Sequence, residues 1–248
     1  GTSAPEAGRS IPEEVLFNSG TSAPEAGRSI PEEVLFNAVL AVEQLMSTGG
    51  GWQDQVSGSR RGLLLSSSVP SDALPCYSIR AVPLAAAHAA ALSRRLCFIY
   101  TGEQRMAKVV TTNVVGDWVA RAPGVGNSLA RCRSLAGGIR TAVEEFASLP
   151  AAALGRPGEG IFARLGALLS EHTREQAGLW PGATSPGIER IFQATSELYH
   201  GASICGAGAG GHVVLVLRAG AGPADVEAAL RRDPLLAEAR IVPAEMLV

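Results

Sequence analysis

The sequence predicts an α+β fold, a two-layer α/β sandwich in which helices pack on an antiparallel sheet. Long segments whose apolar residues follow helical spacing alternate with short apolar, β-branched runs typical of strands. The last part of the chain shows the pattern most clearly, with a strand at 213–218, a helix at 224–232 and a strand at 239–243. At 248 residues the chain is long enough to bury a substantial core.

Composition excludes several classes of protein. Apolar residues make up 46% of the chain, charged residues make up 18%, and the net charge is −2. No basic stretch indicates a nucleic-acid partner, and no apolar run approaches the roughly 20 residues that cross a bilayer. The four cysteines are far apart and form no C-x-x-C pair. They predict reduced, mostly buried thiols in a cytoplasmic protein, without disulfide or metal roles.

The first helix follows an internal repeat. Residues 1–18 recur unchanged at 20–37. Structural repeats diverge in sequence and need about three copies, so this one indicates a recent duplication or an error in the gene model. The first copy, within 1–19, is expected to be a short helix or poorly ordered, with no site of its own. In the second copy, Ser29 and Glu32 form a capping box with Pro31 in the first turn. Apolar residues then follow helical spacing: Val34, Leu35, Ala38, Val39, Val42, Leu45 and Met46.

The middle of the chain alternates between strand and helix patterns. Strands are predicted at 61–67, 76–82 and 96–100, with a loop at 69–75. Helices are predicted at 105–120, 127–149, 161–179 and 186–199, with a Pro/Gly/Ala-rich connection at 150–160.

The first candidate site is the segment 49–55, Gly-Gly-Gly-Trp-Gln-Asp-Gln, which follows the first helix. Glycine lets the backbone approach a ligand closely. Asp54 lies between two amides and follows the indole of Trp52, so the cluster is able to orient a substrate that carries a hydroxyl group. A flexible turn with an exposed acid explains the same residues equally well.

The second candidate site is the segment 206–211, which satisfies the pattern G-x-G-x-x-G. A dinucleotide site needs a helix directly after this pattern, but residues 212–218 predict a strand, and Asp225 belongs to the start of the next helix. Two interpretations remain. The backbone amides cradle a phosphate, or the glycines form a tight turn between paired strands, which spacing alone favours.

Three segments resemble the L-fucokinase branch of the GHMP superfamily of sugar kinases, in that family's order. They are 38–55, then 99–107 followed by 113–118, and then 201–211. The resemblance implies a GHMP kinase C-terminal domain at 76–248 and part of the N-terminal domain at 20–75, preceded by the duplicated segment 1–19. It also implies transfer of the γ-phosphoryl group of ATP to a sugar hydroxyl, which for L-fucose gives L-fucose 1-phosphate.

The resemblance also assigns roles to residues. Asp54 matches the base that accepts the hydroxyl proton, and Glu43 matches an acid that binds Mg²⁺. The residues expected to contact the sugar are Gly50, Gly51, Trp52 and Gln53. Those expected to contact ATP are Gly20, Thr21, Ser22, Gly206, Gly208, Gly210 and Gly211. Ala209 departs from the pattern, since the family commonly has glycine there.

A larger departure lies near the N-terminus. Only residues 19–23 resemble the end of the superfamily's main phosphate loop, and the helix expected after that loop is replaced by 24–28. This favours an alternative, a catalytically inactive truncated fragment or a non-enzymatic binding module of the same fold. A kinase for a heptose or galactose is a third possibility, although Trp52 favours the fucokinase branch.

Overall fold

A computed structural model describes residues 30–45, 51–53, 62–69, 76–103, 107–208 and 210–244. Its helices are α1 (Glu32–Leu45), α2 (Ala86–Arg95), α3 (Ala107–Val119), α4 (Val125–Ser148), α5 (Arg156–Leu179), α6 (Pro186–Ala194) and α7 (Pro223–Arg231). Its strands are β1 (Leu63–Val69), β2 (Cys76–Val82), β3 (Leu96–Tyr100), β4 (Tyr199–Ile204), β5 (His212–Leu217) and β6 (Arg240–Val242).

The strands form two antiparallel sheets. β1 and β2 pair from Leu63 opposite Val82 to Val69 opposite Cys76. The larger sheet has four strands in the order β4-β5-β3-β6. Every pair in it is antiparallel, with β5 central against both β4 and β3. The predicted α+β class with an antiparallel sheet is confirmed.

Helices cover both faces of the larger sheet. On one face, α6 and α7 bury Ile188, Ile191 and Val226 against inward-facing residues of β3, β4 and β5. On the other face, α2, α4 and α5 form a second core that includes Phe146, Phe162 and Val216 of β5. The fold therefore extends the predicted sandwich by a further layer of helices. Burial on both faces explains why residues 213–217 of β5 form an apolar, β-branched run without polar alternation.

Helix α5 crosses strand β4 at backbone distance. A Cβ atom at Gly166 would lie 2.7 Å from the amide nitrogen of Gly201, and a Cβ atom at Gly201 would overlap the backbone of Gly166. The two glycines therefore allow the helix and the strand to touch. Close to this crossing, the Thr173 hydroxyl of α5 accepts a 3.2 Å hydrogen bond from the Ile204 amide at the end of β4.

Two helices differ from the prediction by five residues at one end, and a third helix was not predicted. Helix α5 begins at Arg156, inside the predicted connection, because Pro157 fits the first turn of a helix. Helix α6 ends at Ala194, and Tyr199 already belongs to β4. Helix α2 was not predicted, because Leu92 is the one large apolar residue on its buried face, beside His88 and two alanines.

The described ranges contain no helix long and apolar enough to span a membrane. Residues 1–29, which include the first copy of the repeat and the predicted cap Ser29, lie outside those ranges. Among the cysteines whose side chains the structure describes, Cys97 is buried, Cys132 and Cys205 are half-buried, and all three are free thiols.

Candidate functional site

The segment 205–211, which we call the glycine loop, connects the paired strands β4 and β5. It closes with a 2.9 Å hydrogen bond from the Cys205 amide to the His212 carbonyl. Four of its glycines have positive φ: Gly206 (66°), Gly208 (90°), Gly210 (130°) and Gly211 (74°). Residues other than glycine rarely adopt such angles, so the glycines of the pattern are needed for this backbone conformation. A strand follows the loop directly, and the dinucleotide interpretation is excluded.

The segment after β3 holds one end of the glycine loop. The Thr101 amide donates to the Gly211 carbonyl at 2.9 Å, and the Gly211 amide donates to the Glu103 carbonyl at 2.9 Å. The Thr101 hydroxyl accepts a 3.1 Å hydrogen bond from the Glu103 amide, which fixes the bend between them. A Cβ atom at Gly210 would lie 2.9 Å from the Glu103 carbonyl oxygen, so only glycine fits there without a shift.

The segment before α6 supports the middle of the loop. A Cβ atom at Gly208 would overlap the carbonyl oxygen of Ala183. Two residues further on, Ser185 caps α6 by accepting a 3.1 Å hydrogen bond from the Ile188 amide. The Ser185 hydroxyl also donates to the Glu103 carboxylate, which joins the two supporting segments to each other.

Helix α5 contacts the loop on a third side. The Gln176 side-chain amide donates a 3.0 Å hydrogen bond to the Gly206 carbonyl, while its Oε1 atom is buried without a partner. A cavity of about 210 Å³ lies between α3, α5 and the loop. Its lining is mostly apolar: Val110, Thr111, Val114, Val115, Gln176, Leu179, Ala183 and Ala207.

Two consecutive amides at the tip of the loop are available to a ligand. In the part of the chain that the structure describes, the amides of Gly206 and Ala207 donate no hydrogen bond. Gly206 is exposed and Ala207 is half-buried. Successive free amides in a loop with positive φ can bind an anion. The neighbouring Cys205 is not a candidate nucleophile, because burial raises the pKa of its thiol and keeps it protonated.

The structure describes only some of the predicted site residues. Gly206, Gly208, Gly210 and Gly211 lie together in the glycine loop. Gly51, Trp52 and Gln53 form a separate short segment, in which Trp52 is half-buried and the other two are exposed. Glu43 is half-buried on α1. The predicted base Asp54 lies outside the described residues, as do Gly20, Thr21, Ser22, Gly50 and Ala209.

Four residues around the loop were not predicted as site residues: Thr101, Glu103, Gln176 and Ser185. Ser185 followed by Pro186 is a recognisable helix start, and this signal would have placed it. Glu103 lies in the segment 99–107 that carries the family resemblance, but its contacts join residues 82 positions apart. Local sequence patterns carry no information about such a pairing.

The chain is similar in sequence to two known proteins. No family model matches the chain. It is 30% identical over 182 residues to the bifunctional fucokinase/GDP-fucose pyrophosphorylase of Arabidopsis thaliana, a match that covers 73% of this chain and 16% of that protein. It is 27% identical over 206 residues to an L-fucokinase/L-fucose-1-P guanylyltransferase of Bacteroides fragilis, covering 80% and 19% respectively.

A crystal structure of mevalonate kinase shares the fold, with a TM-score of 0.51 and 15% identity over 87% of this chain and 57% of that one. The chain is therefore similar to two proteins named as fucokinases over most of its length, and it shares the fold of a GHMP kinase. The predicted resemblance is thereby confirmed. The chain spans less than one fifth of the length of each of the two curated relatives.

Proposed function

We propose that the chain transfers the γ-phosphoryl group of ATP to a sugar hydroxyl, with L-fucose as the acceptor and L-fucose 1-phosphate as the product. One observation carries the proposal. The glycine loop presents the free amides of Gly206 and Ala207 in a chain similar to two proteins named as fucokinases.

ATP is the proposed ligand of the glycine loop. Phosphoryl transfer depends mainly on positioning and on neutralising charge, and backbone amides supply both without a side chain. Gly206, Gly208, Gly210 and Gly211 give the loop the shape that leaves its tip free. Gly20, Thr21 and Ser22 are also proposed to contact the phosphates, by resemblance to the end of the family's phosphate loop.

The sugar is proposed to bind at the segment 50–54. Asp54 would accept the proton of the attacking hydroxyl, and a carboxylate is a sufficient base when it is correctly placed. Gly50 and Gly51 allow close approach of the sugar, while Trp52 and Gln53 supply an apolar ring and a hydrogen-bonding amide.

Magnesium is proposed to bind at Glu43. Mg²⁺ is usually held by one or two carboxylates together with phosphate oxygens and water. Among the described residues no three His, Cys, Asp or Glu side chains form a metal cluster. A single half-buried acid on α1 fits an ion whose other ligands come from the nucleotide. The ion would neutralise charge on the phosphates.

The test of the proposed function is substitution of the proposed base. Asp54→Asn should lower sugar-dependent ATP turnover by about 100-fold or more, because the amide cannot accept the proton. The affinity for Mg-ATP should not change. Glu227→Gln, an exposed acid on α7 outside the segments that resemble the family, is the control and should leave turnover intact. Undiminished turnover in Asp54→Asn would show that Asp54 is not the base.

A non-catalytic binding module is the second candidate, favoured by the replacement of the expected helix at residues 24–28. In that case the unsubstituted chain should bind Mg-ATP and show no turnover with any sugar. We propose a cytoplasmic location for either function, since the described cysteines are free thiols, as in proteins of reducing compartments.

A further inference from the structure

We propose that Glu103 is a positioning residue that fixes the glycine loop in its binding conformation, acting through Ser185. The inference rests on the proposed function in one respect, since the bound ligand is taken to be ATP. Its structural part concerns how three separate segments of the chain, 101–103, 183–185 and 205–211, hold one another.

The backbone of Glu103 fixes the end of the loop that enters β5. Its carbonyl accepts the Gly211 amide at 2.9 Å, and the Gly211 carbonyl accepts the Thr101 amide at 2.9 Å. These two bonds continue the β3–β5 pairing beyond Tyr100 and His212. The close packing of Gly210 on the same Glu103 carbonyl leaves the loop little room to shift at this end.

The side chain of Glu103 fixes the opposite support. Its carboxylate accepts a hydrogen bond from Ser185, the residue that caps α6. A Cβ atom at Gly187 would overlap the Glu103 carboxylate. Because residue 187 is glycine, the carboxylate can lie against the first turn of α6. The N-terminus of a helix stabilises a negative charge, which favours this position for the acid and offsets its repulsion of a nearby phosphate.

The two supports contact the loop at different points. Ala183 packs against Gly208 in the middle of the loop, and Glu103 contacts Gly210 and Gly211 at its end. The Glu103–Ser185 hydrogen bond is the link between these supports. Without it the segment 183–185 can move away from 101–103, and the loop between them can widen. A loop binds an anion more tightly when its amides are already held in the binding geometry before the anion arrives.

The chain offers a matched control one turn away. The Thr184 hydroxyl donates a 2.7 Å hydrogen bond to Glu189, an acid in the same first turn of α6. Removing Glu189 therefore deletes an equivalent carboxylate–hydroxyl bond at the same helix end. Among the residues that the structure describes, Glu189 makes no hydrogen bond to the glycine loop. The comparison of Glu103→Ala with Glu189→Ala separates positioning of the loop from general support of the helix.

Calorimetric titration of the full 248-residue chain with Mg-ATP tests the inference. Glu103→Ala should weaken binding about tenfold, as expected for loss of one hydrogen bond to a charged group, whereas Glu189→Ala should stay within about twofold of the unsubstituted chain. Glu103→Gln keeps an acceptor for Ser185 and should bind more tightly than Glu103→Ala. Glu103→Asp keeps the negative charge, but its shorter side chain does not reach Ser185, so it should bind Mg-ATP weakly. This variant tests the inference if Glu103→Ala does not fold. The opposite order, with Asp near normal and Gln weak, would assign the role to charge and overturn the inference.

Amide hydrogen exchange without nucleotide gives the second readout. The Thr101 and Gly211 amides should exchange faster in Glu103→Ala than in Glu189→Ala. Their acceptors are backbone carbonyls that both variants keep, but without the side-chain bond to Ser185 the segment 101–103 opens more often. Equal exchange in the two variants overturns the inference, and so does faster exchange with unchanged affinity. If the unsubstituted chain binds no nucleotide, the proposed function fails by itself, and the exchange comparison still decides whether Glu103 holds the loop.

Discussion

At the scale of single residues, the clearest charged cluster lies at the end of the sheet opposite the glycine loop. Glu159 of α5 accepts hydrogen bonds from Arg95 at 2.6 Å and from the Ala219 amide at 3.2 Å, and contacts His200 at 2.5 Å. Arg95 also donates to the Leu217 carbonyl at 2.7 Å and lies over the Phe162 ring. The Glu159 carboxylate thus joins α2, α5, β4 and the turn after β5. It stabilises the end of the four-stranded sheet that lies opposite the glycine loop.

This cluster predicts a pH dependence of stability. The Arg95 guanidinium lowers the pKa of Glu159 from its ordinary 4.5 to about 2, with smaller contributions from His200 and the Ala219 amide. Because the unfolded chain binds this proton more readily, the stabilisation is present above about pH 4.5 and is lost as pH falls towards 2.

Glu159→Gln should therefore lower the melting temperature at pH 7, and the difference from the unsubstituted chain should shrink as pH falls from 5 towards 3. Thermal unfolding monitored by circular dichroism measures it. Glu227→Gln, which removes an exposed pair with Arg231, is the control and should have little effect at any pH. A pH-independent difference for Glu159→Gln would contradict the assigned ionisation.

At the scale of elements, the contact between α5 and β4 positions the loop, because β4 ends where the loop begins. Gly166→Ala should destabilise the protein by about 2–4 kcal/mol, since the added methyl group meets the backbone of β4. Gly137→Ala on α4 is the matched control. Its added methyl group meets nothing within 4 Å, and it should stabilise the protein by up to about 1 kcal/mol through helix propensity. Denaturant unfolding measures both changes, and equal effects would show that the crossing tolerates a side chain.

How far the sequence predicts the elements depends on the kind of signal. Strands 76–82 and 96–100 were predicted with the observed bounds, because short strand-forming runs bounded by proline, polar or glycine residues are local features. Helix α2 escaped prediction because Leu92 is the one large apolar residue on its buried face. The glycine loop was found from its pattern, but its supports were not. The bond between Glu103 and Ser185 exists only once β3 and α6 have packed, so no local pattern contains it.

At the scale of the whole molecule, the described chain contains a two-stranded sheet and a four-stranded antiparallel sheet. The larger sheet has helices on both faces and carries the glycine loop, whose tip amides are free. The superfamily assignment and the α+β class are confirmed, while the domain boundary between residues 75 and 76 stays a prediction. So do the roles of Asp54 and Glu43. The account as a whole depends on the glycine loop being a nucleotide site.

The most direct test is a titration of the isotope-labelled chain with Mg-ATP, followed by NMR of its backbone amides. The account predicts saturable shifts centred on Gly206 and Ala207, with smaller shifts at Gly211 and Thr101. Asp225 and its neighbours at the start of α7, whose first turn is capped internally, should not shift. Saturable binding that leaves Gly206 and Ala207 unshifted, or no binding at all, would contradict it.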